Sequence, residues 1–529
     1  NSFKNYPEQK LQKAWEAKIY PDHGWGGKHG DITDALFQQK FEFAKSEAEE
    51  ILNNNLTKLA SKIETKKEHG RPLVVFNSIN NERNDPVSII VRFDKPGIFS
   101  VQLTDIKGNK TETQLSNILK HSDGSVKSAT LHFIAKQVPA IGYKTWYLTT
   151  SSEKIKENIP KFQNEFKNRF YSIKFGNGGL TSIFDKELNR ELIDSKKFKA
   201  GEVFTMQSEG NGAGEFADIQ KPTMEGFDKT GNYKTTWKIE EQGAVFTTIK
   251  FRQKIKNAVV EQKVKIYNQL KRIDFETALL NWEGILYREF RMALPLNMSD
   301  GQVAYEVPFG VVEVGKDEMK GTAGERYTVE CKTMHPRGIE NWIGASNKYF
   351  GVTMSSTVAV ADWIDPTNNP VKSPVLQPVL LASRRSCHWE GNEYLQTGDH
   401  HFLFSITSHK PGWQRGAKQA RGANETLKAV WADNHFSGAS LPESLSFFNT
   451  GNTDVFISTI KKAEDSNTAV IRLTNLNSTD KKVTLKSFMP VKNATLTNLI
   501  EEDIKPISTN KNSVQINLKH HAIETIKLK

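Results

Sequence analysis

Cysteine is nearly missing from this chain. Its two thiols, Cys331 and Cys387 among 529 residues, cannot build a disulfide framework. They are expected to be buried thiols that leave the compartment open. No apolar run approaches the length that spans a membrane. There is no Arg-rich block and no stripe of basic residues interleaved with aromatics. The 72 Lys and Arg against 61 Asp and Glu, a net +11, are spread along the chain. They predict a solvated surface and no nucleic-acid partner. Internal repeats and low-complexity segments are absent. A phosphate cradle of the Walker type is excluded, because Gly27-Lys28 is followed by His29 where Ser or Thr is required. Disorder is excluded as well, since hydrophobic residues make up 37% and aromatics 10%. A chain of this length exceeds one ordinary core, so several domains are expected.

Chemistry concentrates in one stretch, Tyr20-Pro21-Asp22-His23-Gly24-Trp25-Gly26-Gly27-Lys28-His29-Gly30-Asp31-Ile32-Thr33-Asp34. Its glycines permit backbone angles closed to other residues and let another group approach closely. His23 can offer a neutral imidazole nitrogen to a metal such as zinc or donate a hydrogen bond. Trp25 can present an apolar platform to a sugar face. Asp31 suits an N-cap, with Asp34 reinforcing the helix start. On composition alone, a Gly-rich turn with surface or locally satisfied histidines also accounts for the stretch, because one histidine does not make a metal site.

Helical periodicity flanks this loop. Leu11, Trp15 and Ile19 fall on one face of a helix over 8–19. Ile32, Leu36, Phe41, Ala44, Ala48, Ile51, Leu52, Leu59 and Ile63 predict one long helix from 31 to about 66, paired antiparallel with the first. From Arg71 the period changes to two. Strands are expected at 73–78, 88–93, 101–105, 129–134 and 143–148, separated by turns such as Lys95-Pro96-Gly97. A Lys-, Glu- and Ser-rich linker covers 149–165. Asn177-Gly178-Gly179 then supplies the positive-φ turn of a hairpin. Strand patterns continue to about 430, and shorter ones fill the last hundred residues. The expected fold class is mainly β, with a short N-terminal helical bundle segment followed by β-sandwich domains. The expected divisions are 1–69 (helical, with the loop 20–34), 70–150, 166–430 and 431–529.

Pro21-Asp22-His23-Gly24-Trp25-Gly26-Gly27-Lys28-His29-Gly30-Asp31-Ile32-Thr33-Asp34 resembles a loop of bacterial members of glycoside hydrolase family 38, the zinc-dependent α-mannosidases. Pro139-Ala140-Ile141-Gly142-Tyr143 resembles the corner that ends the family's small sandwich. The segment from Asn168 to Leu192 resembles the opening of its galactose-mutarotase-like supersandwich. Arg384-Arg385 resembles, more loosely, an Arg-Arg segment that approaches the family's active site. The resemblance covers essentially the whole chain, with Gly24 standing where the more widespread form has aspartate after the histidine.

The resemblance implies that His23 is a ligand to one zinc ion and that Asp22, Trp25, Arg384 and Arg385 contact substrate. It implies a mannose-containing glycan as partner and retaining hydrolysis of terminal α-linked mannose. It places the nucleophile, the acid/base and most zinc ligands on an N-terminal barrel-like domain of the same protein, upstream of Asn1. The chain is accordingly expected to be inactive alone, with an apolar bundle face that leaves a homo-oligomer open. His400-His401 would point to opposite faces of a strand and cannot form a paired ligand set. Trp342, Trp363, Trp389 and Trp413 could stack on sugars but are more often core. Two other classes stay open: a non-catalytic carbohydrate-binding or structural β module, and a mutarotase-type epimerase built on the supersandwich.

Overall fold

The computed structural model describes residues 3–19, 30–154, 161–209, 221–317, 335–385, 392–432, 439–451 and 454–529. The chain is mainly β. Contacts divide it into two compact units: Asn1–Tyr20 with Lys40–Glu157 and Glu425–Lys529, and Pro21–Gln39 with Asn158–Asn424. Among the described residues no helix is long and apolar enough to cross a membrane.

Helix α1 spans Glu8–Lys18 and helix α2 spans Gly30–Ala60. They run antiparallel, since Lys10 meets Glu50 at 2.9 Å and Glu47 at 3.7 Å, while Ala14 and Ala17 meet Ala44. The packed stripe is thus made of alanines. Trp15 and Ile19, which the periodicity assigns to a packed face, are 59% and 66% exposed. Small side chains let the two backbones approach, and the bulky neighbours are turned out. Helix α2 begins at Gly30, one residue ahead of Asp31. It stops at Ala60, short of the expected 66. Ile63 is pulled into a buried cluster with Ala60, Val74, Phe76 and Tyr143 and bridges to Leu441, so tertiary burial overrides local helix propensity.

In the first unit, Lys428–Trp431, Arg71–Asn77, Gly142–Ser151, Ser100–Asp105 and Lys110–Thr111 lie side by side in one antiparallel sheet. A three-stranded sheet of Arg83–Arg92, Val126–Val138 and Thr113–Lys120 faces it. Leu73, Val87, Leu131, Phe133 and Trp146 fill the space between them. Leu73 sits opposite Trp431 on one side and Trp146 on the other. Two further sheets near the C-terminus close over Val455, Ile471, Val483, Ile516 and Ile526.

The second unit has one large core between a nine-stranded and a seven-stranded antiparallel sheet. Its hairpin pairs Tyr171–Gly176 with Gly179–Asp185. Gly178 turns at φ +71, and a Cβ there would meet the Thr230 carbonyl carbon at 2.3 Å, so only glycine fits. The seven-stranded sheet runs Lys221–Pro222, Glu202–Glu209, Arg288–Pro295, Val375–Ala382, Val360–Asp362, Arg337–Gly338, with Asp228–Lys229 also paired to Glu202–Glu209.

Candidate functional site

Strand Arg288–Pro295 is the centre of the site. Phe290, Met292 and Leu294 enter the large core. By the two-residue period of a strand, Glu289, Arg291 and Ala293 share the other face, and all eight residues are buried. The neighbouring strands add Ser208, Gln377 and Asp362, the last two directly opposite each other.

These side chains form one continuous buried ladder. Arg384 donates through Nη2 to Glu289 Oε2 at 2.7 Å and to Ser208 Oγ at 3.1 Å. Glu289 Oε1 accepts from Arg291 Nε. Arg291 Nη1 donates to Asp362 Oδ2 at 2.7 Å and to Gln377 Oε1 at 3.0 Å. His335 ends the ladder, with Nδ1 2.9 Å from Asp362 Oδ2. The other Asp362 oxygen accepts the backbone N–H groups of Trp363 at 2.7 Å and Ile364 at 3.0 Å. Glu289, Arg291 and Asp362 are fully buried, whereas the His335 side chain keeps 28% of its exposure. Two guanidinium and two carboxylate charges balance, which is how buried charge is tolerated.

Burial alone would raise the Asp362 carboxyl. The Arg291 charge, the His335 hydrogen bond and the Ile364 N–H outweigh it and hold the group at about 2, below its usual 3.8. A carboxylate depressed in the folded state adds stability above its unfolded pKa. That stability is lost as pH falls from near 4 towards about 2. Asp362→Asn is therefore expected to remove on the order of 2 kcal/mol of the stability difference between pH 5 and pH 2.5. Urea unfolding at both values checks this; an undiminished difference would show that Asp362 does not carry it.

The remaining sequence-derived candidates fall in different places. Asp22, His23 and Trp25 lie outside the described residues, as do Cys331, Cys387 and Trp389. Arg384 turns inward to Glu289 and Ser208. Arg385 is only partly buried and pairs with Glu393, in the short ladder Arg384–Arg385 against Glu393–Tyr394. His400 Nε2 lies 2.6 Å from the Gln396 carbonyl, and His401 is exposed. Trp342 is buried and stacks on Trp413, and Trp363 stacks on Tyr305. Among the described residues no three His, Cys, Asp or Glu side chains converge to hold a metal ion. Glu289, Arg291, Asp362 and His335 were not singled out from the sequence. The available signal was Glu289 and Arg291 two apart on one strand face.

The family model described as Glycosyl hydrolases family 38 C-terminal domain matches residues 166–357. The one described as Glycosyl hydrolases family 38 C-terminal beta sandwich domain matches 454–526. Alpha-mannosidase G of Dictyostelium discoideum is 23% identical over 326 residues, covering 58% of this chain and 27% of that protein. An alpha-mannosidase from Enterococcus faecalis V583 shares the fold at TM-score 0.74 and 15% identity, over 99% of this chain and 64% of that one. A glycosyl hydrolase family 38 protein from Enterococcus faecalis gives TM-score 0.76 at 15% identity, over 99% and 66%. The chain belongs to glycoside hydrolase family 38 and carries its C-terminal domains. It spans about a quarter of the curated relative and under two thirds of the two solved chains.

Proposed function

We propose that this chain is the C-terminal part of a zinc-dependent, retaining α-mannosidase that removes terminal α-linked mannose from glycans. The observation that carries the reading is the coincidence of the two family 38 C-terminal matches with a fold shared over 99% of the chain. In this reading His23 gives one protein donor to zinc, and Asp22, Trp25 and Arg385 face the sugar. Arg384 holds its neighbour's strand in place from the buried side. The metal would polarise and hold mannose hydroxyls, while the described residues supply no metal centre of their own.

Retention requires two carboxylates roughly 5–5.5 Å apart, one nucleophilic and one cycling a proton. Glu289 and Asp362 cannot serve, because both are fully buried and each is bound by Arg291. We assign the catalytic pair, as the family resemblance implies, to the portion of the family's longer chains that this one does not span. The test is an assay with an activated aryl α-mannoside and added zinc, on this chain alone and on the full-length protein. Turnover is expected from the full-length protein, with this chain at least about a thousandfold slower, as removal of both catalytic groups requires. Comparable rates would place the catalytic carboxylates within these 529 residues.

A further inference from the structure

The turn that joins Arg71–Asn77 to Arg83–Arg92 and the corner Pro139-Ala140 border a cavity of about 260 Å3 on the first unit. Asn80, Asn81, Glu82, Asn449 and Gly451 complete its lining. Asn77 locks the turn to the corner. Its Nδ2 donates to the Asn81 carbonyl at 2.8 Å and to the Pro139 carbonyl at 2.9 Å. The Ile141 N–H reaches the Ile79 carbonyl at 2.9 Å. These walls are fixed before any ligand arrives, which lowers the cost of binding one.

Two amides in the lining are half used. Asn80 and Asn81 are 5% and 7% exposed. Asn80 Nδ2 donates to the Val455 carbonyl and reaches Thr450 Oγ1 at 3.3 Å. Asn81 Nδ2 donates to the Glu82 carbonyl at 3.2 Å. A carbonyl can only accept, so the nitrogen end of each amide is fixed and the oxygen end faces away from that partner. Neither Oδ1 accepts a hydrogen bond among the described residues. The exposed Glu82 carboxylate makes no hydrogen bond or salt bridge among them either. Buried acceptors are normally paired, and unpaired ones are costly. The cavity thus presents three acceptor groups and calls for a ligand that donates.

A cation and a polyol both answer that description, and the cavity favours the polyol. A bound calcium takes about six to eight oxygens and is held largely by carboxylates. Here there is one carboxylate, and among the described residues no three acidic, histidine or cysteine side chains converge. The space also holds several waters at about 30 Å3 each, far more than a bare ion fills. Pro139 and Ala140 add an apolar wall. At Gly451 a Cβ would meet nothing within 4 Å, so that side is open. Acceptors set beside an apolar wall match a sugar ring, which has C–H faces and hydroxyl edges.

We propose that this cavity is a saccharide-binding site, in which Asn80 Oδ1, Asn81 Oδ1 and the Glu82 carboxylate accept hydrogen bonds from the hydroxyls of one neutral sugar unit of a glycan. The choice of mannose as that sugar rests on the mannosidase reading above; the acceptor chemistry does not.

The test is affinity electrophoresis of the full-length protein through gels with and without a soluble α-mannan, for the wild type, Asn81→Ala and Glu82→Ala. Melting temperature and turnover of an aryl α-mannoside are measured on the same proteins. Each variant removes one acceptor and leaves Asn80, whose amide ties two segments together, in place. The wild type should be retarded by mannan. Each variant should bind it about threefold to tenfold more weakly, with melting temperature and turnover little changed. Equal retardation of all three proteins, or none of the wild type, overturns the assignment, while turnover decides the mannosidase reading separately. Weaker binding that merely follows a fall in melting temperature in both variants overturns the assignment too. So does a rise in melting temperature with calcium chloride alone that Glu82→Ala abolishes, which would make the cavity a cation site. A wild type without turnover overturns the mannosidase reading; mannan retardation lost in both variants would still establish the saccharide site.

Discussion

Glu289→Ala is expected to destabilise the second unit by about 3–5 kcal/mol, the usual cost of removing one partner from a buried ionic pair. Glu289 is the carboxylate shared by two guanidinium groups, Arg291 through Nε and Arg384 through Nη2. Both arginines would be left buried beside an empty space, with Asp362 alone to offset them. Desolvation pulls the Arg291 guanidinium down, and only Glu289 and Asp362 reverse that. Replacing Glu289, Arg291 and Asp362 together by apolar residues of similar volume should cost far less than the single change. Urea unfolding of the three proteins decides it. A loss under about 1 kcal/mol for Glu289→Ala would mean that water reaches the two arginines and that the ladder is not dry.

His23→Ala, in the full-length protein, should lose bound zinc and at least about a hundredfold in turnover. Outer partners of a metal ligand already account for tenfold to a hundredfold, so a direct ligand must exceed that range. His29→Ala should be much milder. Zinc content after dialysis and turnover of an aryl α-mannoside are the two measurements. Unchanged values for both would remove His23 from the metal site.

The fold was legible where hydrophobic period and turn chemistry agree. The strands near 73, 89, 103, 131 and 145 and the hairpin at Asn177-Gly178-Gly179 lie where their alternation and their glycines put them. The helices were legible in type but not in packing. Periodicity weights Trp15 and Ile19 above Ala14 and Ala17 because it counts hydrophobicity, whereas close helix approach selects small size.

The ladder was hidden for a related reason. Arg288-Glu289-Phe290-Arg291-Met292 alternates like a strand with one wet face, and charged residues are seldom fully buried. Nothing local reveals that Asp362, seventy-one residues later, and Arg384, ninety-five later, neutralise that face. His335 had no neighbouring sequence signal at all, since the carboxylate that orients it is supplied from another strand. Arg384 and Arg385 were visible as a pair, but their division into one buried and one partly exposed residue is a property of the sheet.

One pairing in the first unit has a consequence for synthesis. Strand Arg71–Asn77 gains its neighbour on one side early, because Leu73 and Trp146 are 146 − 73 = 73 residues apart. Its other neighbour is Lys428–Trp431, and Leu73 and Trp431 are 431 − 73 = 358 residues apart. At about 5–20 residues per second, the ribosome takes about 18–70 s to deliver that strand after the first has emerged. Within that interval residues 158–424 of the second unit are made, and a row of unpaired backbone groups stands open on the nascent chain. Such an edge templates pairing with other chains. The order of the strands thus makes translation the period in which this protein is most exposed to aggregation and most in need of a chaperone.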